Sequence, residues 1–284
     1  MRAFFYTAFA LTAFAFNSIL CRMALGREEI DAAGFTAVRL LAGALMLAAI
    51  SASMGKPQSI WKAGHWASAF FLFAYAICFS FAYLGLTTGT GALILFGSVQ
   101  MTMIAASIFR GDRPGALELA GVFVALGGLA YLVLPGLSAP SLASSLLMAA
   151  AGAAWGFYTL RGRGSSDPLA ETTGNFVRSV PMILIAALPF LGSLHLSVRG
   201  VVLAVLSGAL ASGVGYSVWY AALKYHSATR AAVVQLAVPV IAAAGGIVFM
   251  SETASVRLLI AAGLILGGIL LAIVKKDAGV ITGR

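Results

Sequence analysis

The feature that most constrains this chain is the length of its uncharged apolar runs. Residues 66–109 contain no Asp, Glu, Lys or Arg. A helix needs about 20 apolar residues to cross the hydrocarbon core of a bilayer. The whole chain is 61% hydrophobic and 10% charged, whereas a soluble domain has about 25% charged residues. We therefore expect lipid to be the solvent of this protein.

The spacing between charges predicts an all-α integral membrane protein with ten transmembrane helices. β-Barrel strands would show about ten residues of alternating polarity, which these runs lack, and helices are then the remaining way to span lipid. Turn residues at Thr87–Gly91 and Pro135–Pro140 divide the two longest runs. The expected spans are residues 3–21, 32–53, two within 66–109, two within 119–160, and 179–198, 200–223, 231–251 and 258–274.

The distribution of Lys and Arg predicts the orientation of these spans. With the N-terminus inside, twelve basic residues lie in inner segments and four in outer loops, once Arg39 and Arg178 are set aside as lying within spans. We expect both termini in the cytoplasm and the protein in a bacterial inner membrane. The apolar N-terminal stretch resembles a signal peptide, but it lacks a convincing cleavage site and is interpreted as a retained first span.

The two halves of the chain show an internal repeat. Arg39 aligns with Arg178 at an offset of 139, and Asp112 aligns with Glu252 at an offset of 140, as does the first Gly-Gly pair with the second. Five spans in each half is an odd number, so the second copy would enter the membrane in the opposite sense. The sequence thus predicts repeats over residues 1–137 and 138–284, with a substrate site between the halves and alternating access.

Several classes of function find no support in the residues. The two cysteines and three histidines show no metal-ligand or disulfide spacing, and no catalytic constellation or P-loop is visible. The net charge of +9 is spread over short loops, which does not indicate nucleic-acid binding. A channel would require a selectivity motif or ring of charges. We expect neither enzymatic activity nor a cofactor, and a small molecule and the bilayer as partners.

Ionisable and amide side chains within the spans are the first candidates for a binding site. Arg39 and Arg178 are costly in lipid and can grip a carboxylate, or they can snorkel or brace a loop carbonyl. Asn17, Gln100 and Gln235 should face the bundle interior, since an unpaired amide in an apolar helix costs about 1 to 3 kcal/mol. Such amides either line a cavity or join helices.

Aromatic side chains are the second group of candidates, because their rings and hydroxyls suit an amino acid. Trp and Tyr also collect at bilayer interfaces for physical reasons alone, which applies most to Tyr83, Trp155 and Tyr220. Tyr75 and Tyr216 lie deeper in their spans. The complete aromatic set is Tyr75, Tyr83, Trp155, Tyr158, Tyr216, Trp219 and Tyr220.

Proline and glycine mark places where helices bend or approach each other. Pro239 removes a backbone donor and is expected to kink or loosen the ninth span. Two pairs of glycines at four-residue spacing, Gly152 with Gly156 and Gly263 with Gly267, permit close helix packing. Packing within one chain is the default interpretation, and a dimer interface is the alternative.

Over nearly its whole length the chain resembles the EamA family of the drug/metabolite transporter superfamily. Four-span multidrug members of that superfamily couple protons through a Glu in their first span, whereas we expect no acidic residue inside any span here. The residues that carry the resemblance are Asn17-Ser18, Ala37-Val38-Arg39, Phe109–Arg113, Pro239, Met250–Thr253 and Gly263–Gly268.

The resemblance implies a ten-span secondary transporter that exports small polar metabolites. Amino acids are the commonest substrates of such relatives, and one branch exports aromatic amino acids. Export of other metabolites or drugs, or a scaffolding role without transport, are the alternatives. The resemblance is compatible with a monomer.

Overall fold

The computed structural model describes residues 2–55, 63–111, 115–134, 139–162, 165–223, 225–226 and 233–281, with the side chains of the last helix described as far as Ile273. Helices form its regular structure, apart from one isolated bridge between Ile30 and Leu196. The helices are α1 Arg2–Leu25, α2 Ala32–Ser53, α3 Trp66–Ala82, α4 Thr88–Phe109, α5 Ala116–Val133, α6 Leu142–Gly162, α7 Pro168–Ala187, α8 Val198–Leu223, α9 Ala237–Met250 and α10 Val256–Ile281.

The number and type of helices confirm the all-α membrane fold. In the described part of the chain, nine helices are long and apolar enough to cross a bilayer, and α3 is a tenth, shorter apolar helix. At 1.5 Å per residue, the 17 residues of α3 reach roughly 26 Å, close to the hydrocarbon thickness of about 30 Å. The break expected at Thr87 is confirmed, because its side chain caps α4 by accepting from the Thr90 amide.

The seventh span begins eleven residues before the predicted window of 179–198. Asp167 caps α7 by accepting from the Ala170 amide at 3.2 Å, and Pro168 occupies the first turn. These residues are strong helix-start signals, and a count of charge-free residues ignores them. A 3₁₀ turn over Leu188–Ser193 completes the span. The expectation that no acidic residue lies within a span was therefore wrong, because Glu171 is in the first turn of α7, as Glu118 is in that of α5.

Two helices depart from regular α geometry. The middle of α8, Leu206–Val214, is a π-helix. Gly208 lies there against the backbone of Arg39, where an added Cβ would collide with the Arg39 carbonyl. In α9, a turn at Leu236 precedes the helix and Pro239 lies in its first turn, where the missing amide breaks little. A hinge at Pro239 stays a prediction.

Polar contacts close one end of the bundle. We call the end at which α1 begins the N-terminal face and the other end the opposite face. At the opposite face Arg22 pairs with Glu252 at 3.3 Å and donates to the Tyr83 carbonyl at 2.9 Å. The second oxygen of Glu252 accepts from the Thr88 amide at 2.8 Å. These contacts join the ends of α1, α3, α4 and α9.

The two glycine pairs have different surroundings. A Cβ on Gly152 would lie 2.6 Å from the Leu95 carbonyl oxygen and from the Ser98 Cβ, so α6 packs backbone-to-backbone against α4. Gly263 and Gly267 have no atom within 4 Å of their Cβ positions in the described part of the chain. Only the first pair therefore serves packing within the described bundle.

Gly152→Ala should destabilise the protein, whereas Gly263→Ala should not. Overpacking at a tight contact costs about 1 to 3 kcal/mol, while alanine in an open helical site gains up to about 1 kcal/mol in helix propensity. Thermal unfolding of both variants in the same detergent, followed by circular dichroism, measures the difference. Equal melting temperatures would contradict the close α4–α6 contact.

Candidate functional site: a buried arginine beside an aromatic cavity

A small cavity lies between helices of both halves of the chain. The centre of a water molecule can occupy a volume of about 20 Å³ in this cavity. That volume is enough for one or two water molecules and too small for an amino acid. In this conformation the side chains of the wall therefore occupy most of the space that a substrate would need. Its lining residues are Phe14, Asn17, Ser18, Tyr75, Phe79, Leu95, Phe96, Trp155, Ala211 and Tyr216.

Arg39 lies directly behind this wall and is 2% exposed. Its Nη2 donates to the Tyr75 hydroxyl at 3.0 Å. The guanidinium carbon is 5.1 Å from the centroid of the Tyr75 ring and 4.9 Å from that of Phe79. These cation–π contacts offset part of the cost of burying the charge.

The remaining polar atoms of Arg39 have no partner among the described residues. Its Nε and Nη1 are buried and meet no acceptor within the described part of the chain, and no described carboxylate forms an ion pair with it. A buried charge without a counter-ion costs several kcal/mol. The geometry therefore leaves two nitrogen donors for an anionic group that the described residues do not supply.

Tyr75 connects Arg39 to a second polar group. Its hydroxyl oxygen accepts from Asn17 Nδ2 at 3.0 Å as well as from Arg39. Ser207 in turn donates to Asn17 Oδ1 at 2.6 Å. The network joins α1, α2, α3 and α8, so it fixes Tyr75 in the cavity wall. A hydroxyl that accepts twice still has its own hydrogen to donate.

Aromatic rings form the other wall around Trp155. The Trp155 ring lies 4.9 Å from that of Tyr75, 5.1 Å from that of Tyr216 and 5.3 Å from that of Tyr158, with which it stacks. Phe14 meets Tyr216 edge-on at 5.7 Å. The sequence left open whether Trp155 lies at the bilayer interface or lines a cavity. It lines the cavity, together with Tyr75 and Tyr216, the two tyrosines predicted to lie deepest.

Other predicted residues lie away from this cavity. Arg178 donates to the carbonyls of Ala63 at 2.6 Å and Gly174 at 3.0 Å, which is the bracing alternative considered above. Gln100 is 2% exposed with an unpaired Nε2, and Gln235 is half-buried before α9. Neither glutamine is among the cavity-lining residues.

The remaining aromatic candidates have packing partners elsewhere. Tyr83 is fully buried at the end of α3 and donates to the Thr88 carbonyl at 3.3 Å. Trp219 packs against Phe14, which lines the cavity, with ring centroids 5.8 Å apart. Tyr158 lines a second cavity at the N-terminal face.

Sequence reasoning missed several side chains at this site, among them Phe14 and Phe79 in the cavity lining and Ser207 in the hydrogen-bond network. Phe79 lies one helical turn beyond Tyr75, a spacing that could have placed it on the same face. Ser207 carries no distinguishing signal, because small residues surround it in α8 and serine is common at helix contacts.

Known proteins resemble this chain in sequence and in fold. The EamA-like transporter family matches residues 142–274. An uncharacterized protein of Pseudomonas aeruginosa is 49% identical over 275 residues, covering 97% of this chain and 96% of its own. A WAT1-related chloroplastic protein of Arabidopsis thaliana is 26% identical over 254 residues, covering 83% of this chain and 61% of its own.

Two further comparisons agree with this result. An uncharacterized transporter of Archaeoglobus fulgidus is 26% identical over 220 residues, 72% of this chain and 76% of its own. A protein of known crystal structure superposes with a TM-score of 0.67 at 18% identity, covering 98% of this chain and 99% of its own, which supports the fold alone. The chain belongs to the EamA-like transporter family of the drug/metabolite transporter superfamily, and is a multi-pass membrane transporter of small molecules.

Proposed function

We propose that this protein exports small carboxylate-bearing metabolites, amino acids first among them, and that Arg39 binds the carboxylate. The observation that carries the proposal is the buried guanidinium with Nε and Nη1 unpaired beside the central cavity. Hydrogen bonds between a guanidinium and a carboxylate are charge-assisted and about twice as strong as neutral ones. A carboxylate at this place would supply the missing counter-charge.

The aromatic wall supports amino acids, including aromatic ones, as the substrate class. Trp155, Tyr216 and Phe14 present ring faces and edges within contact of one another. Ring faces attract an ammonium group through cation–π interaction and pack against an aromatic side chain with about 0.5 to 1.5 kcal/mol beyond burial alone. The site thus offers a positive group for the carboxylate and aromatic rings for the remainder.

Helix packing supports the inverted repeat over residues 1–137 and 138–284. If α1–α5 correspond in order to α6–α10, the most extensive contacts should have counterparts with the two sets exchanged. Helix α3 packs on α6 as α8 packs on α1, and α4 packs on α6 as α9 packs on α1. The α2–α8 contact matches α3–α7, and the pairs α2–α7, α4–α9 and α5–α10 map onto themselves. Such a scaffold suits alternating access.

Alternating access would require the closed cavity to open toward each face in turn. On the opposite face, opening separates Arg22 from Glu252 and Glu252 from the Thr88 amide. Both contacts are partly exposed, and hydrogen bonds to charged groups contribute about 1.5 to 3 kcal/mol each. Contacts of this size are reversible on the timescale of a transport cycle.

Counterflow in proteoliposomes tests the function and the role of Arg39 together. Purified protein should accumulate a subset of labelled amino acids saturably. Arg39→Gln should raise the apparent KM at least about tenfold, because a charged hydrogen bond is lost. Arg257→Gln is the matched control, since Arg257 also lies over a tyrosine ring but is half-buried at the opposite face, away from the central cavity.

Three results of this assay would count against the proposal. An unchanged KM in folded Arg39→Gln would remove Arg39 from recognition. Saturable flux of other metabolites or drugs, without amino acids, would replace the substrate class. A complete lack of saturable flux would favour the scaffold alternative.

Labelling of introduced cysteines tests the orientation. Ser53 and Ser193 are exposed serines at the N-terminal and opposite faces, and each donates to the carbonyl three residues earlier. In a background with Cys21 and Cys78 replaced by Ala, a membrane-impermeant maleimide should label Ser193→Cys in intact cells. Ser53→Cys should react only after the inner membrane is permeabilised. The reverse pattern would place both termini outside.

Alkylation of Cys21 tests opening at the opposite face. Cys21 is buried next to Arg22, so it reacts only when this face opens. Glu252→Gln, in a Cys78→Ala background, should raise the alkylation rate about fivefold, because losing about 1 kcal/mol of closing contacts raises the open fraction by that factor. Glu29→Gln, which weakens the more exposed pair with Arg199, should leave the rate unchanged. Equal rates in all three proteins would contradict this gate.

A further inference from the structure

A second cavity lies at the N-terminal face, between α3, α6, α7 and α8. Most of its lining residues carry oxygen in their side chains, among them Glu171 and the hydroxyl residues Tyr158, Ser165, Thr172 and Tyr220. The Ser165 hydroxyl oxygen is buried without a hydrogen-bond partner in the described part of the chain. Carboxylate, hydroxyl and amide oxygens are the groups that surround a cation in proteins.

Glu171 forms no ion pair with a cationic side chain among the described residues. A Glu in the first turn of a helix is stabilised by the helix dipole, which accounts for its position in α7. The dipole does not explain why several hydroxyl groups surround this carboxylate, because hydroxyl groups at the start of an exposed helix can be hydrated by water instead. Arg161 lies at the edge of the cavity, where its Nε donates to Ser68 at 3.1 Å.

The two cavities share one wall. Trp155 lines the central cavity and Tyr158 lines the second cavity, and their rings stack 5.3 Å apart. Asn175 Nδ2 reaches the Tyr158 hydroxyl at 3.5 Å, and Thr172 donates to Tyr220 at 3.4 Å. The stacked rings of Trp155 and Tyr158 therefore separate the two cavities.

We infer that the second cavity is a cation subsite in which Glu171 binds a monovalent cation, either the ammonium group of the substrate or a metal ion such as Na⁺. The inference rests on the proposed function, in which the substrate is a zwitterion with its carboxylate bound at Arg39. Substrate arriving from the N-terminal face would place its ammonium group at Glu171 before the carboxylate reaches Arg39. The two ends of the molecule thus have separate recognition sites.

Ligand-dependent melting of the full chain in lipid nanodiscs tests this subsite apart from Arg39. Three probes are used: phenethylamine, which has no carboxylate, 3-phenylpropionate, which has no amine, and NaCl against choline chloride. Phenethylamine or Na⁺ should raise the melting temperature of the wild type, and Glu171→Gln should weaken that binding at least about tenfold. Glu118→Gln is the matched control, because Glu118 occupies the first turn of α5 and lines neither cavity.

The outcomes separate the two proposals. A shift with phenethylamine identifies the ammonium as the source, and a shift with Na⁺ alone identifies the metal ion. Failure of both cations to stabilise the wild type, or equal loss in Glu171→Gln and Glu118→Gln, overturns the subsite. The response to 3-phenylpropionate and its loss in Arg39→Gln report on the carboxylate site independently.

A measurement on the wild type avoids any folding defect of the variants. A hydrophobic carbodiimide modifies protonated carboxyl groups in the membrane, and mass spectrometry measures its reaction with Glu171 and Glu118 in the same sample. The stabilising cation should protect Glu171 at least about threefold and leave Glu118 unchanged. Equal reactivity of both glutamates with and without the cation would overturn the assignment.

Discussion

The charge of Arg39 is the constraint around which the centre of the bundle is arranged. A guanidinium in an interior without water is stabilised only by the protein groups that surround it. Three helices supply or position these groups. Helix α3 contributes the rings of Tyr75 and Phe79, α1 fixes Tyr75 through Asn17, and α8 fixes Asn17 through Ser207. The π-helical segment of α8 approaches α2 closely at Gly208, where a side chain would collide with the Arg39 backbone. The position of Arg39 therefore depends on helices from both halves.

Hydropathy predicted the helices because the bilayer enforces their length, and it failed where other forces set the boundary. Helix α2 begins and ends at the predicted residues, since Asp31 caps a mainly apolar segment in which Arg39 is the single charged residue. Helix α7 begins at Pro168, outside its apolar window, because the capping carboxylate of Asp167 and the proline together start a helix whatever the hydropathy. The error mattered, because it excluded Glu171 from the spans. Charge-free length thus locates the hydrocarbon layer and not the end of the helix.

The site was predictable where residue chemistry alone indicates interior burial. Asn17, Arg39, Tyr75 and Tyr216 are polar or amphipathic groups deep in apolar helices, and the structure brings them to one place. Gln100 and Gln235 satisfy the same description but lie elsewhere, since a helix-joining amide and a cavity-lining amide are identical in sequence. Which neighbour each side chain meets depends on helix rotation, and mean apolarity carries no information on rotation. Phe79 and Ser207 were missed for that reason.

The proposed repeat would place Arg39 and Arg178 at corresponding positions, and their surroundings differ. Arg178 reaches the carbonyls of Ala63 and Gly174, which anchors the segment before α3 to α7. Among the described residues no carbonyl reaches Nε or Nη1 of Arg39, which is held by aromatic rings instead. A carbonyl holds a guanidinium through directional bonds and occupies its donors, whereas a ring face stabilises the charge and leaves the donors free. Arg178 thus braces the segment before α3, whereas Arg39 keeps two nitrogen donors without a partner among the described residues, and this difference in partners is why the proposed binding role falls on Arg39.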